Sequence, residues 1–448
     1  MSKKFNNLFF SFFSGIVILL VSFVYCQAES LESEFVSPPE NFRTGTYWYW
    51  MNNHISKEGI INDLKAMKKA GINWVLLGSD ISSGNNFGKV KMFSPEWYEC
   101  MHTMLKTATE LDIDVALFNC PGWSQSGGPW IKPENSMRYL TSSETRIKGP
   151  TKIEQQLPQP TKNFQDVKVI AIPVTNNYMD NLLKHENTKL IYSDKITKNP
   201  TQTNLPTGES SIEINLDEEQ VVRSLVILPT ATLNSEVELQ AKDGEKYRKI
   251  KHFTINRSAG GMGLRLGFDP LAPAAVSFPE VKSKSYKIVF TKTGNNSGIK
   301  DVILTSTPVV EYYSEKTFAK MSPPTWRGFL WDRQAELKNV TVAAPEQVID
   351  ISQYMKKDGV LAWDVPDGEW LILRTGMAPT NVTNIPPSPE GRGLEVDKIN
   401  KKHIELHFNA FIGDIMKRVP AEDRKSLKMV VQDSYEVGGQ NFTDGMID

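Results

Sequence analysis

Three strand-like apolar runs alternate with two helical stretches at the start of the chain, and this alternation constrains the fold more than any other feature. The runs cover residues 44–53, 73–78 and 114–119. Short crossovers through helices predict that successive strands lie parallel in one sheet. Such repeats are typical of an α/β fold and, when continued, of the (β/α)8 barrel.

Both helical stretches carry start signals. Ser56 stands directly before the first stretch, and Ser94 with Pro95 opens the second. Serine caps exposed backbone N–H groups, and proline fits the first turn of a helix. Apolar residues then recur at helical spacing in the second stretch and predict one buried face: Trp97, Met101, Leu105 and Ala108.

Aromatic residues alternate along the first strand. Tyr47, Tyr49 and Met51 lie on one face, and Trp48 and Trp50 lie on the other. Because both sets are aromatic or apolar, the pattern predicts a strand that is buried on both faces. These two tryptophans could stack on sugar rings, but aromatic residues in strands are more often core residues, so we favour tryptophans in loops for that role.

The alternation of strands and helices stops near residue 140 and returns near residue 393. We assign residues 29–140 to barrel strands one to three, and residues 393–448 to the third barrel helix and the fourth strand. Residues 141–310 show only short strands and turns, which predicts an inserted β-sandwich, and residues 311–392 form a β-rich connector. The predicted fold class is α/β: the N-terminal portion of a (β/α)8 barrel interrupted by an inserted all-β, sandwich-like domain.

Residues 1–28 have the pattern of a signal peptide. Two lysines precede an apolar run over residues 8–24, and small residues mark a cleavage site after Ala28. The mature protein is therefore expected to be exported. Lipid attachment at Cys26, as in a lipoprotein, is the alternative interpretation. No later stretch is apolar enough to span a bilayer, so we expect no membrane span after cleavage.

The charge balance excludes one class of partner. The chain has 51 Lys and Arg against 52 Asp and Glu, a formal net charge of −1, so no nucleic-acid partner is predicted. The 10 Trp and 13 Tyr are compatible with sugar binding. Cys100 lies in a helical pattern and Cys120 ends a strand, which predicts two buried free thiols, although export permits a disulfide.

Residues 427–439 carry the strongest candidate for chemistry. An apolar, β-branched run switches to Asp433, Tyr435 and Glu436 and then to glycines, which predicts a buried strand that opens into a loop. We predict that Glu436 is a general acid kept protonated by partial burial and by a neighbouring carboxylate such as Asp433. Asp433 could also orient Glu436 or bind a substrate hydroxyl. Taken alone, the stretch also fits a turn capped by Asp433 beside a solvated Glu436.

Further candidates for substrate binding lie in loops and at strand ends. Trp123 and Trp130, in one long loop, suit stacking on sugar rings. Asn52, His54 and Asn119 follow strands, where groups that bind hydroxyls are expected in barrel enzymes.

Two acidic and two histidine positions have alternative interpretations. Glu395 and Asp397 alternate, so both could face the substrate pocket, with Glu395 binding substrate, or they form a charge cluster at a helix start. Asp80, at the end of the second strand, is a weaker candidate. His403 and His407 lie four residues apart but lack the glutamate of a metalloprotease motif, so we interpret them as solvated and assign no metal ligands.

Seven short motifs occur in order along the chain: residues 47–50, 58–67, 94–97, 119–123, 127–130, 393–398 and 433–436. Together they resemble the α-L-rhamnosidases of glycoside hydrolase family 106, over nearly all of the mature chain. The resemblance implies a (β/α)8 barrel with β-sandwich modules, an inverting mechanism, use of calcium, and Glu436 as general acid. It also implies release of terminal α-L-rhamnosyl residues from plant or bacterial polysaccharide, in the periplasm or at the cell surface of a Gram-negative bacterium.

The chain departs from the family in length. Members of the family are much longer, whereas this sequence stops at Asp448, just after the fourth predicted strand. We therefore expect the catalytic base to lie beyond the C-terminus and the fragment to be inactive alone. The alternative function is that of a non-catalytic carbohydrate-binding or cell-surface protein, which needs aromatic platforms but no protonated carboxylate.

Overall fold

The structure is a computed structural model that describes residues 31–39, 42, 44–193, 195–197, 205–230, 233–257, 269, 271–317, 334, 336 and 338–447. The predicted signal peptide, with Cys26, and part of the predicted connector lie outside these residues. The chain forms two compact units. Unit 1 runs to Gly122 and includes Pro386–Glu390 and Ile412–Gln432, and unit 2 comprises Trp123–Ile385, Gly391–Phe411 and the stretch from Asp433 onward.

Unit 1 is built on a four-stranded, fully parallel sheet. With strands numbered in chain order, these are β1 (Thr44–Met51), β2 (Ile72–Ile81), β3 (Asp114–Phe118) and β17 (Leu427–Val431), paired in that sequence. The strand that we predicted as the fourth pairs with the third, although a long insertion separates them in the chain. The α/β class of the prediction is confirmed.

Two helices of unit 1 begin where the sequence predicts. Helix α1 (Lys57–Lys69) follows Ser56, and α2 (Pro95–Glu110) follows Ser94. Each serine side chain accepts a hydrogen bond from the backbone N–H three residues later, at 3.0 and 3.2 Å. All four residues of the predicted α2 stripe are buried. Helix α5 (Ile412–Arg418) and the 3-10 turn Ala421–Arg424 also belong to this unit.

The two faces of β1 are buried to different extents. Trp48 and Trp50 are buried, as predicted, and the Trp48 indole N–H donates to a carboxylate on α1 at 3.3 Å. On the other face Tyr47 is 53% exposed, and Tyr49 and Met51 are exposed as well. Our prediction of burial on both faces is therefore wrong. Alternation of side chains reveals the two faces of a strand, but not whether a second layer covers each face.

Strand β17 is also less buried than predicted. Met429 is 48% exposed, and Val430 is exposed too. Among the described residues β17 pairs with β3 alone, so it is an edge strand of an open sheet. An edge strand has one neighbour instead of two, which leaves its apolar side chains more accessible than those of a central strand.

The cysteines of unit 1 behave as predicted. Cys100 on α2 and Cys120 after β3 are both buried, and neither forms a disulfide with another described residue. Among the residues that the structure describes, no helix has the length and apolarity needed to cross a membrane.

Unit 2 contains a four-stranded antiparallel sheet with two long strands. It consists of β5 (Arg138–Gln156), β6 (Gln165–Val174), β14 (Ile349–Asp350) and β15 (Val360–Pro379), in the order β14-β6-β15-β5. Our domain boundaries placed β6 and most of β5 in the inserted domain, but β14 and β15 in the connector. The observed pairing puts all four strands in one sheet. The domain boundaries missed this, because strands that pair across a long insertion leave no local signal in the sequence.

A second antiparallel sheet of unit 2 has seven strands: β7 (Lys189–Tyr192), β8 (Lys195–Thr197), β9 (Gly208–Pro229), β10 (Leu233–Asp243), β11 (Lys246–Arg257), β12 (Ala274–Thr293) and β13 (Ile299–Thr305). The order is β11-β10-β12-β9-β7-β8, with β13 also paired to β9. Alternate side chains form a buried apolar cluster that includes Val237, Ile288, Phe290 and Val302. The strand-only pattern of the sequence thus corresponds to antiparallel sheet.

Short elements complete unit 2. Strand β4 (Gly127–Gly128) pairs with β16 (Leu394–Glu395), which joins two of the glycine-containing motifs. The helices are α3 (Tyr313–Lys316) and α4 (Lys401–Ala410), with 3-10 turns at Pro133–Asn135, Leu182–Lys184, Pro345–Gln347 and Ser352–Tyr354.

Candidate active site

The loop after β17 presents the candidate acid at the surface. Glu436 and Asp433 are both exposed, and Asp433 accepts a hydrogen bond from the next backbone N–H at 2.7 Å. Val437, beside Glu436, is fully buried with Met137 and Val382. The partial burial that we predicted for Glu436 is therefore not observed. The neighbouring valine anchors the loop, and the carboxylate stays in solvent.

Glu395 is completely buried in an ion pair. One carboxylate oxygen accepts from the Ser124 hydroxyl and the other from the Lys398 ammonium, each at 2.7 Å. Gly127 permits this approach, because a Cβ there would lie 2.9 Å from the Leu394 carbonyl and 3.1 Å from the Glu395 carboxylate. Because Glu395 is 0% exposed, a sugar hydroxyl could reach its carboxylate only if the surrounding residues moved. The geometry therefore favours a positioning role for Glu395 over the direct substrate contact that we predicted.

Asp397 lies at the centre of a second buried network. Arg138 and Asp397 are both fully buried, and the guanidinium donates to Asp397 at 2.9 Å and to Asp444 at 2.6 Å. Thr443 and Gln440 also donate to Asp397, each at 2.6 Å. Burial acts to raise the pKa of Asp397, but these hydrogen bonds hold it below its ordinary value. The network ties the C-terminal residues to the start of β5.

One group of potential metal ligands occurs among the described residues. It consists of Asp397, His403 and Asp444, whose ligand atoms lie within 4.8 Å of one another. Arg138 already donates to both carboxylates, and calcium takes about six to eight oxygen ligands rather than an imidazole nitrogen. The group therefore does not fit calcium, which stays an expectation from the family resemblance with no ligands assigned.

The prediction that His403 and His407 are solvated is wrong. His407 is fully buried, and its Nδ1 accepts a hydrogen bond from the Trp130 indole at 3.1 Å. The His403 side chain is 12% exposed and lies 3.3 Å from the Asp397 carboxylate. A spacing of four residues shows that two side chains share a helix face, but not whether that face is buried.

The two loop tryptophans have different environments. The Trp130 ring stacks on Phe411, with ring centroids 5.8 Å apart and an interplanar angle of 15°. Trp123 is half-buried, and its backbone N–H donates to the Ile385 carbonyl at 2.9 Å. Sugar stacking by these residues stays a prediction. Trp123 suits it better, because one face of the Trp130 ring already has a protein partner.

Asn52, His54 and Asn119 belong to unit 1. The Asn52 side chain exchanges two hydrogen bonds with the Ser83 backbone, and its φ of 51° allows the turn after β1. A ring nitrogen of His54 lies 3.3 Å from the Asn86 carbonyl, and Asn119 is buried. Asn52 and His54 are thus held by contacts with the loop after β2, and the predicted role of all three residues in binding hydroxyls stays a prediction.

Asp80 is a buried carboxylate whose environment the sequence does not reveal. It is 1% exposed, and its Oδ2 accepts from both the N–H and the hydroxyl of Ser388, at 2.9 and 2.8 Å. Its Oδ1 has no hydrogen-bond partner among the described residues. Burial raises the pKa of Asp80 to about 6. An acid that ends an apolar run is the only sequence signal for this site.

Unit 2 thus contains a loop with exposed carboxylates, Asp433 and Glu436, and two buried acids, Glu395 and Asp397. The chain belongs to glycoside hydrolase family 106, the α-L-rhamnosidases, since the family model matches residues 36–448.

Two comparisons describe its similarity to known proteins. The chain is 25% identical over 422 residues to a protein of Formosa agariphila named "Putative beta-glucuronidase", a match that covers 94% of this chain and 25% of that protein. The rhamnosidase from Novosphingobium sp. PP1Y has a similar fold, with a TM-score of 0.74 and 23% identity over 92% of this chain and 40% of that chain. This chain therefore spans about a quarter of the length of the first protein and two fifths of the second.

Proposed function

We propose that the protein removes terminal α-L-rhamnosyl residues from plant or bacterial polysaccharide with inversion, and that Glu436 is the general acid. The observation that carries the proposal is the position of Glu436 on a loop that follows a parallel strand, next to the buried Val437 that anchors the loop. The exposure of Glu436 makes its carboxylate accessible to a substrate, and its protonated state is part of the proposal. Membership of the α-L-rhamnosidase family supports the class of substrate.

Inverting hydrolysis requires two carboxyl groups about 6.5–9.5 Å apart, with water between them. In the proposed mechanism Glu436 protonates the glycosidic oxygen, and a second carboxylate activates water on the opposite face of the sugar. Glu395 and Asp397 are poor candidates for this base, because Lys398, Arg138 and other donors occupy their oxygens. We therefore assign no base among the described residues, and we propose that residues 29–448 alone do not turn over.

We also propose that the four parallel strands belong to a (β/α)8 barrel and that the seven-stranded sheet forms a β-sandwich. The parallel strands follow one another in the sheet in chain order, as barrel strands do, which supports the proposal. Export to the periplasm or surface of a Gram-negative bacterium, with lipidation at Cys26 as the alternative, rests on the signal-peptide pattern and the family resemblance. Use of calcium rests on the resemblance alone.

The variant Glu436→Gln tests the acid in the native gene product, with the exposed Glu346→Gln as the matched control. General acid catalysis contributes about 10²- to 10⁴-fold to rate, so kcat on an alkyl α-L-rhamnoside should fall by that factor. The kcat of Glu436→Gln on a dinitrophenyl rhamnoside should fall little, because the dinitrophenolate leaving group needs no proton. NMR of the first sugar released should show the inverted anomer. Equal losses on both substrates would argue against an acid role, and substrate binding without any turnover would favour the non-catalytic alternative.

The activity of the isolated chain is a separate test. Residues 29–448 should be purified and assayed on the same dinitrophenyl rhamnoside, with the Novosphingobium rhamnosidase as the positive control. We expect no turnover above the rate of an unfolded sample. Turnover comparable to that of the native gene product would show that both catalytic carboxylates lie within these residues.

A further inference from the structure

Lys398 contacts three parts of unit 2 at once. Its ammonium donates to Glu395 at 2.7 Å, lies 3.4 Å from the Met137 sulfur, and lies 5.5 Å from the centroid of the Tyr435 ring. The side chain is only 15% exposed. An ammonium at this distance from an aromatic ring is attracted to the ring electrons, and partial desolvation strengthens the attraction.

The buried Glu395 carboxylate fixes the position of the Lys398 ammonium. Glu395 is fully buried, and its second oxygen is held by Ser124, so the carboxylate has one orientation. The backbone N–H of Lys398 donates to the Gln440 side chain at 3.0 Å. Lys398 therefore connects a buried carboxylate to Tyr435, within the loop that carries the candidate acid, and to Gln440, just after that loop.

Residues on both sides of Glu436 are held, although Glu436 itself is exposed. Tyr435 lies against Lys398, and Val437 is buried with Met137. The loop also contains two residues in the left-handed region, Ser434 with a φ of 56° and Gly438 with a φ of 75°. The backbone at position 436 is thus set by contacts of its neighbours.

We propose that Lys398 is a positioning residue for Glu436, acting through the Tyr435 ring; this rests on the function proposed above. Proton transfer requires the acid to be within about 2.6–3.2 Å of the glycosidic oxygen. A displacement of about 1 Å can reduce the rate about 10²-fold. Loss of the contact between Lys398 and Tyr435 releases one of the two anchors beside Glu436, so it impairs protonation of the leaving group more than substrate binding.

Two variants remove the contact in different ways. Lys398→Met removes the ammonium, whereas Tyr435→Leu removes the ring and leaves the buried ion pair intact, which protects the test against misfolding. Lys398→Arg keeps both the charge and the contact with a ring. The matched control is Lys287→Met, because Lys287 also pairs with a glutamate, at 3.0 Å, and lies 5.9 Å from the ring of Tyr247.

Hydrogen exchange gives a readout that does not depend on activity. In Lys398→Met and Tyr435→Leu, amides of residues 433–439 should exchange at least about 10-fold faster, because the loop opens more often. Exchange in the seven-stranded sheet should not change. Lys398→Arg should restore protection, and Lys287→Met should leave the loop as it is. Unchanged exchange of the loop in both Lys398→Met and Tyr435→Leu would overturn the proposal.

Kinetics of the native gene product give the second readout. In Lys398→Met and Tyr435→Leu, kcat on the alkyl rhamnoside should fall about 10- to 100-fold relative to wild type. The kcat on the dinitrophenyl rhamnoside and the KM values for both substrates should stay within about 3-fold of the wild-type values. Equal losses on the two substrates would overturn the positioning role. If Glu436→Gln itself shows no dependence on the leaving group, the acid assignment fails instead, and hydrogen exchange still decides whether Lys398 holds the loop.

Discussion

Replacement of Asp397 by asparagine removes one charge from the buried network and leaves its shape nearly unchanged. Each carboxylate oxygen of Asp397 accepts at least two hydrogen bonds, and Oδ2 also lies 3.3 Å from Nδ1 of His403. Oδ2 accepts from Arg138 and Thr443, and Oδ1 accepts from Gln440 and the Ile399 N–H. An asparagine in either orientation therefore turns an NH2 group toward two donors. No rotation of the side chain can satisfy all four partners.

The size of the effect follows from burial. Removing one partner of a buried ion pair costs about 3–5 kcal/mol, because the other charge stays buried without compensation. Arg138 and Asp397 are both 0% exposed, although Arg138 keeps Asp444 as a partner, so we expect the lower end of this range. The control is Asp350→Asn, whose partner Lys168 is exposed. An exposed pair contributes at most about 1 kcal/mol.

Urea denaturation of Asp397→Asn and Asp350→Asn measures the loss of unfolding free energy in each variant. Hydrogen exchange, in addition to fluorescence, follows the unfolding of unit 2. The pKa of Asp397 lies below its ordinary value of 3.8 in the folded protein. The contribution of Asp397 to the free energy of unfolding is therefore complete above about pH 3.8, and it is lost as the pH falls through the pKa of Asp397 in the folded state. The gap between wild type and Asp397→Asn should narrow below about pH 4. A loss no larger than that of Asp350→Asn at pH 7 would refute the reasoning.

Two further predictions concern a buried acid and a close backbone contact. The pKa of Asp80 is raised from 3.8 to about 6, so the folded state disfavours the ionised form, and the free energy of unfolding should fall as the pH rises between these values. Asp80→Asn should remove this dependence of the unfolding free energy on pH and should stabilise the protein at pH 7 by about 1–3 kcal/mol. Urea denaturation midpoints measured from pH 4 to 8 test this. A pH dependence that persists in the variant would contradict its assignment to Asp80. A Cβ at Gly393 would lie 1.9 Å from the Gly128 carbonyl, so Gly393→Ala should disrupt the pairing of β4 with β16 and lower the melting temperature. The control Gly294→Ala should be tolerated, because the nearest contact of its Cβ would be at 3.5 Å. Equal shifts of the melting temperature in the two variants would contradict this prediction.

Local features of the fold could be predicted from the sequence because their causes are local. Helices begin at Ser56 and Ser94 because the serine side chain satisfies an N–H group three residues away. The stripe on α2 is buried because apolar spacing defines one face of a helix. By contrast, the pairing of β5 with β15 could not be predicted, because residues 157–359 separate the strands and each would fit many antiparallel partners.

Burial of charged side chains is the part of the candidate site that the sequence could not supply. Glu395, Asp397, Asp433 and Glu436 stand in similar short acidic motifs, yet two are fully buried and two are exposed. The difference arises from partners distant in the chain, such as Arg138.

The distribution of these acids favours a division of roles within the site. A buried carboxylate with every oxygen occupied has a fixed position but cannot exchange a proton without losing a partner, so it suits positioning. An exposed carboxylate has no such restriction, but it has no fixed position of its own either. Glu436 therefore depends on its neighbours for orientation, and the contacts that supply it run from Tyr435 to Lys398 and then to the buried Glu395. With the acid role proposed for Glu436, a mutation in the buried set should consequently alter proton transfer from Glu436 without any direct contact with substrate.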